Sequence, residues 1–245
     1  MTSDGRSLRF SLVVPIYEER DNVPALLSEV RDVLGPHGPF EAILVDDGSA
    51  DGSFDAMRAW KAENGASWLR ILRLERNSGQ SAAVHAGACA ARSRIVATLD
   101  GDMQNDPRDI PAMLDRVERG DCDAVFGVRH ERMDSFVRRA SSRIGNAVRN
   151  WITGDSIRDA ACGIKVVRRD LFLACPRFHG MHRFMATLVR HQGGRVLEVE
   201  VNHRPRAAGR AKYGIGNRAL RGLCDCFAVR WLKKRVLRYR VADET

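Results

Sequence analysis

The feature that most constrains this chain is the alternation, through its first half, of short apolar runs with helical patterns. The runs at 8–16, 42–45, 69–74, 95–99 and 124–128 have strand length and are apolar almost throughout, the pattern of strands covered on both sides. Between them, residues 22–34 carry Val23, Leu26, Leu27, Val30 and Leu34 at helical spacing and stop at Gly35-Pro36. Residues 53–64, 81–91 and 110–119 read as three further helices. Strands alternating with helices predict an α/β protein with a mostly parallel sheet and helices on both faces. Ligands of such sheets lie beyond the carboxyl ends of the strands. The sequence puts acidic and glycine residues there: Pro15-Ile16-Tyr17-Glu18-Glu19, Asp46-Asp47-Gly48-Ser49 and Asp100-Gly101-Asp102-Met103-Gln104.

The second half is less regular. Residues 136–152 read as a helix with arginines along one side, 164–167 and 196–201 as strands, and 184–190 as a helix between them. A Gly- and Arg-rich loop spans 204–216. After it, Leu220, Leu223, Cys224, Phe227, Ala228 and Trp231 recur at three and four, an amphipathic helix. This organisation predicts a catalytic domain over 1–215 and a basic amphipathic extension over 216–245.

Charge divides the chain more sharply than composition does. Residues 1–125 hold 14 basic and 21 acidic residues, and residues 126–245 hold 26 and 10, for a net charge of +9 over 245 residues. An acidic half suits a metal or a sugar, and a basic half suits phosphate or an anionic surface. No apolar stretch approaches the length of a membrane span and the N-terminus has no apolar leader, so integral and secreted classes are not expected. The six cysteines form no CxxC pair, which argues against structural zinc and for reduced thiols. Aromatic residues make up 7% and no nucleic-acid signature occurs, so no nucleic acid partner is expected.

Asp100, Asp102 and Gln104 follow the fourth apolar run, and in an extended segment period two points all three the same way. Hard oxygens so grouped suit Mg²⁺ or Mn²⁺, with places left for phosphate oxygens. Gly101 lets a ligand approach the backbone. At the end of the second run, Asp47 is placed to accept hydrogen bonds from a ribose or a base. Asp47 also opens a calcium-loop-like segment, but Arg58 stands where that loop needs its bidentate Glu. Basic clusters follow: Arg129, then Arg138, Arg139, Ser142 and Arg143, then Arg206, Gly209 and Lys212, types that bind phosphate oxygens. His179 and His182 have the spacing of a weak metal pair with no third ligand nearby. Arg230, Lys233, Lys234, Arg235, Arg238 and Arg240 crowd the C-terminus beside Trp231, Leu232, Val236, Leu237 and Tyr239, which reads as an interfacial membrane element.

Together these segments resemble family 2 glycosyltransferases of the GT-A fold, and within them the dolichol-phosphate mannosyltransferase-like, polyprenyl-phosphate glycosyltransferase branch. Val13-Val14-Pro15-Ile16-Tyr17-Glu18-Glu19 is similar to the opening VxxPxYNE segment, Val45-Asp46-Asp47-Gly48-Ser49 to the second nucleotide segment, and Leu99 through Gln104 to the metal-binding DADxQ. Arg138-Arg139-Ala140-Ser141-Ser142 resembles the RxxxS acceptor-phosphate segment, Asp159 through Arg169 the D-x-x-x-GF-K stretch, and Arg206 through Lys212 the R-x-x-G-x-S-K loop. Departures are Ile16 and Glu18 in the first segment, Asn105-Asp106-Pro107 where His-Pro-Pro is common, Ile164 for an aromatic and Ala211 for the loop Ser.

The resemblance implies a Rossmann-like GT-A domain. It would transfer one sugar, with inversion and a divalent metal, from a UDP- or GDP-linked donor to a polyprenyl phosphate. It assigns the metal to Asp100, Asp102 and Gln104, and the nucleotide sugar to Pro15, Tyr17, Glu19, Val45, Asp47, Asp100, Gly101, Arg206 and Lys212. The acceptor phosphate falls to Arg129, Arg138 and Ser142, with Asp102 and Arg129 catalytic. The expected location is cytoplasmic, peripheral on the inner face of the cytoplasmic membrane, held by the C-terminal basic helix. Two alternatives are a transferase extending a saccharide hydroxyl and a non-catalytic membrane or nucleic-acid binding module.

Overall fold

The computed structural model describes residues 7–129, 136–205 and 216–237. Its elements run β1 (Phe10–Ile16), α1 (Val23–Leu34), β2 (Phe40–Asp46), α2 (Ser53–Glu63), β3 (Leu69–Arg73), α3 (Gln80–Ala90), β4 (Ile95–Thr98), α4 (Ile110–Glu118) and β5 (Ala124–Arg129). They continue with α5 (Phe136–Thr153), β6 (Lys165–Arg168), α6 (Arg169–Ala174), α7 (Met185–His191), β7 (Val196–Val201) and α8 (Gly216–Lys233). The strands form one sheet in the order β3-β2-β1-β4-β6-β5-β7.

Alternate residues of the apolar runs feed two separate cores. Phe10, Leu12, Val14 and Ile16 of β1 and Ala42 and Leu44 of β2 join Leu27 of α1, Met57 of α2 and Leu114 of α4 on one face. Val13, Ile43 and Val45 join Val84 of α3, Phe172 of α6, Leu188 of α7 and Val229 of α8 on the other. This two-sided burial is why the strands are apolar throughout. The small residues of α3 serve close packing: a Cβ at Gly87 would collide with Val13 Cγ1.

All pairings are parallel except those of β6, which runs antiparallel to both β4 and β5. Because β6 is antiparallel to both neighbours, it starts at the carboxyl end of β4 and β5 and runs back. That reversal brings Asp159 and Gly163 to the place where β1, β2 and β4 end.

The apolar stripe expected of the C-terminal helix is not the face that packs: Cys224 and Ala228 of that stripe are exposed, and two residues outside it make the core contact. Cys226 and Val229 are buried in the second core, whereas Leu223, Phe227 and Trp231 point outward and are exposed. α8 packs against α5, whose Arg149 is buried rather than on an outer arginine face and donates to Thr187 Oγ1 at 2.9 Å.

Candidate active site

Three loops meet at the carboxyl end of the sheet and are latched to one another. Glu18, at a left-handed φ of 50°, donates its backbone N–H to Ser49 Oγ at 2.9 Å, and Glu19 donates its own to Ser53 Oγ at 2.9 Å. These bonds hold the Tyr17–Glu19 tail of β1 against the loop after β2. Gly48 takes φ +72°, and a Cβ there would stand 2.6 Å from the backbone of Arg76 and Asn77. Only glycine lets the loop after β3 lie this close.

Asp47 exploits that approach. Its Oδ1 accepts from Ser78 N at 2.7 Å and its Oδ2 from Gly79 N at 2.8 Å. Burial pushes its carboxyl above the usual range, and the two amides partly offset that shift. Its first task is therefore to set the loop that starts α3. Each oxygen keeps further lone-pair capacity for a ligand.

β4 stops at Thr98, whose Oγ1 donates to Gly163 O at 2.6 Å. The segment after it is a turn rather than the extended stretch expected from the sequence, with Met103 at φ 59°. Period two therefore does not align Asp100, Asp102 and Gln104, which lie before, on and after a turn at Gly101-Asp102. Asp100 Oδ1 accepts from Gln80 Nε2 at 2.8 Å, and Asp102 Oδ1 accepts from Gln104 N at 3.3 Å. A Cβ on Gly101 would stand 2.6 Å from Ile16 Cδ1 and 3.1 Å from Pro15 O. One on Gly163 would collide with Asp100 Oδ2 and stand 2.6 Å from Asn105 Oδ1.

The Gly163 cradle and the two carboxylates fit a hard divalent cation that takes one or two carboxylates and completes its shell with ligand oxygens and water. Among the described residues no cluster of three or more His, Cys, Asp or Glu could hold a metal without such help. Gln104 turns its Nε2 to Arg204 O at 3.4 Å, leaving its Oε1 as the oxygen it has to offer.

The same segment is tied to the chain entering the basic loop. Arg204 N donates to Gln104 O at 2.8 Å, and Asn105 bridges His203. The Arg204 guanidinium reaches Glu29 at 2.8 Å and Asp106 at 2.6 Å. Arg206, Gly209 and Lys212 themselves lie outside the described residues. Arg138 and Ser142 fall on α5, and their side chains also lie outside the described part.

Arg129 forks onto Asp159, Nε to Oδ2 at 2.7 Å and Nη2 to Oδ1 at 2.9 Å. Pro15 and Val45 are strand residues beside the latched loops. Glu19 Oε2 accepts from Asn22 Nδ2 at 2.5 Å. The sequence reading missed Gln80, Gly163 and the pairing role of Asp159. The one available signal for Gln80 was a glycine directly before a helix, after a strand ending on the same edge.

A second surface lies on α5 and α8. Ile144, Val148 and Trp151 of α5, Leu223, Phe227 and Trp231 of α8, and Leu237 just beyond it are the exposed large apolar side chains among the described residues. Lys233, Lys234 and Arg235 are exposed beside them, and the Arg235 guanidinium lies 5.4 Å from the Trp231 ring. Arg230 is spent differently, donating to Ile152 O at 2.9 Å. Arg238 and Arg240 lie outside the described residues. No helix among the described residues is long and apolar enough to cross a membrane.

A sheet of this order, with acidic loops at its carboxyl end and a returning β6, defines the nucleotide-sugar transferase class of α/β fold. Residues 11–174 match the domain described as glycosyl transferase family 2, and the chain belongs to that family. It is 39% identical over 229 residues to a dodecaprenyl-phosphate galacturonate synthase of Rhizobium johnstonii, covering 91% of this chain and 67% of that protein. It is 36% identical over 208 residues to an undecaprenyl-phosphate 4-deoxy-4-formamido-L-arabinose transferase of Serratia proteamaculans, covering 84% of this chain and 63% of that protein. The chain thus spans about two thirds of the length of these relatives. Its fold matches a glucosyl-3-phosphoglycerate synthase from Mycobacterium tuberculosis solved with Mn²⁺, UDP and phosphoglyceric acid, at TM-score 0.67 and 16% identity, covering 94% of this chain and 79% of that one.

Proposed function

We propose that this protein transfers a single sugar, with inversion, from a nucleotide diphosphate sugar to a polyprenyl phosphate. The observation that carries the reading is the Asp100–Asp102 turn, pinned between Gln80, Gly163 and Arg204 in a family 2 chain. Relatives named for transfer to polyprenyl phosphates support the acceptor.

Asp100 and Asp102, with Gln104 Oε1, would hold Mg²⁺ or Mn²⁺, which when bound neutralises charge on the departing diphosphate. Pro15, Tyr17, Glu19, Val45 and Asp47 line the end of the sheet that receives the nucleoside, Gly101 lets the metal-binding turn lie against Pro15 and Ile16, and Arg206 and Lys212 are the cations assigned to the diphosphate. Arg129, Arg138 and Ser142 receive the acceptor phosphate, and Asp159 orients Arg129. A phosphate monoester with a second pKa near ~6 is largely a dianion at neutral pH, so its oxygen attacks without a general base.

Residues 1–215 form the catalytic unit and 216–245 the basic extension in this reading. The exposed apolar stripes of α5 and α8 sink into the interface of an anionic leaflet, the inner face of the cytoplasmic membrane, and nearby cations add about 1 kcal/mol each at low salt.

The test is a transfer assay with undecaprenyl phosphate in detergent, a panel of UDP- and GDP-sugars, and Mg²⁺ or Mn²⁺ with and without EDTA. Product from one donor, lost with EDTA and in Asp102→Ala, is expected. Absence of glycolipid from every donor, or wild-type rates in Asp102→Ala, contradicts the reading.

A further inference from the structure

The segment that follows the Asp100–Asp102 turn is tied to the chain leaving β7. Arg204 N donates to Gln104 O at 2.8 Å, Asn105 and His203 form an antiparallel bridge, and Asn202 N donates to Asp109 Oδ2 at 2.8 Å. Gln104 Nε2 faces Arg204 O at 3.4 Å. A single bridge outside the strands is a weak tie, since even a two-stranded hairpin is marginal by itself. Its persistence therefore falls to side chains.

The Arg204 guanidinium supplies the hold. Nη1 donates to Glu29 Oε1 of α1 at 2.8 Å, and Nη2 meets Asp106 Oδ2 at 2.6 Å. Asp106 is fixed at its other oxygen, because Oδ1 accepts from Arg108 N at 3.0 Å and caps the helical turn at Pro107–Asp109. One side chain thus fastens the stretch beyond Gln104 to α1, whose Leu26, Leu27 and Val30 are buried in the first core. Arg108 reaches the same two carboxylates only at 3.5 and 3.7 Å and is 64% exposed, against 30% for Arg204, so it does not replace the fork.

Electrostatics separates position from charge here. A guanidinium beside a site for Mg²⁺ or Mn²⁺ opposes the ion, so its charge alone weakens the site. Removing Arg204 would leave Glu29 and Asp106 as added negative charge and draw a divalent ion more strongly. What Arg204 contributes is therefore geometry, the placement of Gln104 and of the turn before it. Groups that orient metal ligands from outside the coordination shell are typically worth about 10–100-fold in metal affinity or activity.

We propose that Arg204 is a positioning residue for the metal turn. By bridging Glu29 and Asp106 it holds Gln104, and with it the Asp100–Asp102 turn, in the arrangement that takes the divalent ion. The assignment rests on the function proposed above.

The experiment reads metal binding directly. Free Mn²⁺ is counted by electron paramagnetic resonance in titrations of the full chain, with and without UDP or GDP, for wild type, Arg204→Lys and Arg204→Gln. Thermal unfolding in EDTA checks that each variant is folded. Lysine keeps the charge and loses the two-carboxylate fork, whereas glutamine loses both. The expected result is a Mn²⁺ dissociation constant raised about tenfold or more in Arg204→Gln and severalfold in Arg204→Lys. A general loosening of the fold would also raise the acceptor KM, which at saturating Mn²⁺ is expected to stay within about twofold of wild type in both variants. Wild-type or tighter Mn²⁺ binding in folded Arg204→Gln overturns the positioning role, the tighter value by showing that charge outweighs geometry. If Arg204→Gln does not fold, wild-type affinity in Arg204→Lys overturns it instead. Wild-type protein that takes up no Mn²⁺ with either nucleotide overturns the metal assignment of the proposed function, and the positioning role with it.

Discussion

Arg129 and Asp159 meet in a two-point fork at 2.7 and 2.9 Å, with side chains only 15% and 7% exposed. The pair joins the end of β5 to the segment returning into β6, so it is structural before it is catalytic. Removing one partner of a buried pair costs about 3–5 kcal/mol, whereas replacing both with apolar groups costs far less. Asp159→Ala is expected to lower unfolding free energy by about 3 kcal/mol in urea, with most of it recovered in Arg129→Met/Asp159→Leu. Wild-type stability in the single variant would remove the pair from the account.

Gly163 is required by Asp100. Alanine there would push the carboxylate and Asn105 away from the turn. Gly163→Ala is expected to cut kcat by about 100-fold or more, since misplacement near 1 Å costs that much. Gly145→Ala is the control: nothing lies within 4 Å of its added Cβ, and on α5 it should be neutral or stabilise by about 0.5–1 kcal/mol. Near-normal kcat in Gly163→Ala would show that the turn tolerates displacement.

The carboxylates in the body of the protein set its acid limit. Burial opposes the charge on Glu41, but hydrogen bonds from Arg70, Ser11 and the Arg92 amide outweigh it and hold its pKa below the usual range. Asp155 is also held low, with burial outweighed by Thr187, the Ser156 amide and Arg190. Unfolded, such groups titrate near about 4. A depressed folded pKa contributes stability that is complete above the unfolded pKa and is lost as pH falls through the folded one. Tm should be flat from neutral pH to about pH 5 and fall below it. Glu41→Gln should start lower at neutral pH and fall less steeply. An unchanged slope would mean that Glu41 does not contribute.

The apolar stripes on α5 and α8 make membrane contact separable from fold. Trp151→Glu combined with Trp231→Glu changes two side chains that are 80% and 58% exposed. Tm should hold, while binding to phosphatidylglycerol vesicles falls about tenfold or more. Raising salt should weaken wild-type binding only in part, because screening acts on Lys233, Lys234 and Arg235 and not on the apolar stripe. Unchanged vesicle binding in the double variant would assign the surface to something other than lipid.

The sequence made the sheet legible because β1, β2 and β4 are apolar on both faces, a pattern few other structures demand. It could not show the direction of β6: a four-residue run such as 164–167 reads the same both ways, and only its antiparallel pairing with β4 and β5 sets the direction. Asp47, Asp100 and Asp102 stood out because they end such runs. Their partners did not, because Ser78, Gly79, Gln80 and Gly163 reach them from other segments and as backbone, amide or absent Cβ, which leave no periodic trace. The outward stripe of α8 was legible as apolar, but which side faced the core depended on Cys226 and Val229 finding the second core.

The most direct test of the central claim is the identity of the bond formed. Product made from one matched donor with farnesyl phosphate and with farnesol is analysed by tandem mass spectrometry and by ³¹P resonance. The account predicts a sugar phosphodiester from farnesyl phosphate and nothing from farnesol. A glycoside formed on the hydroxyl of farnesol or of a saccharide, with farnesyl phosphate left untouched, would contradict it.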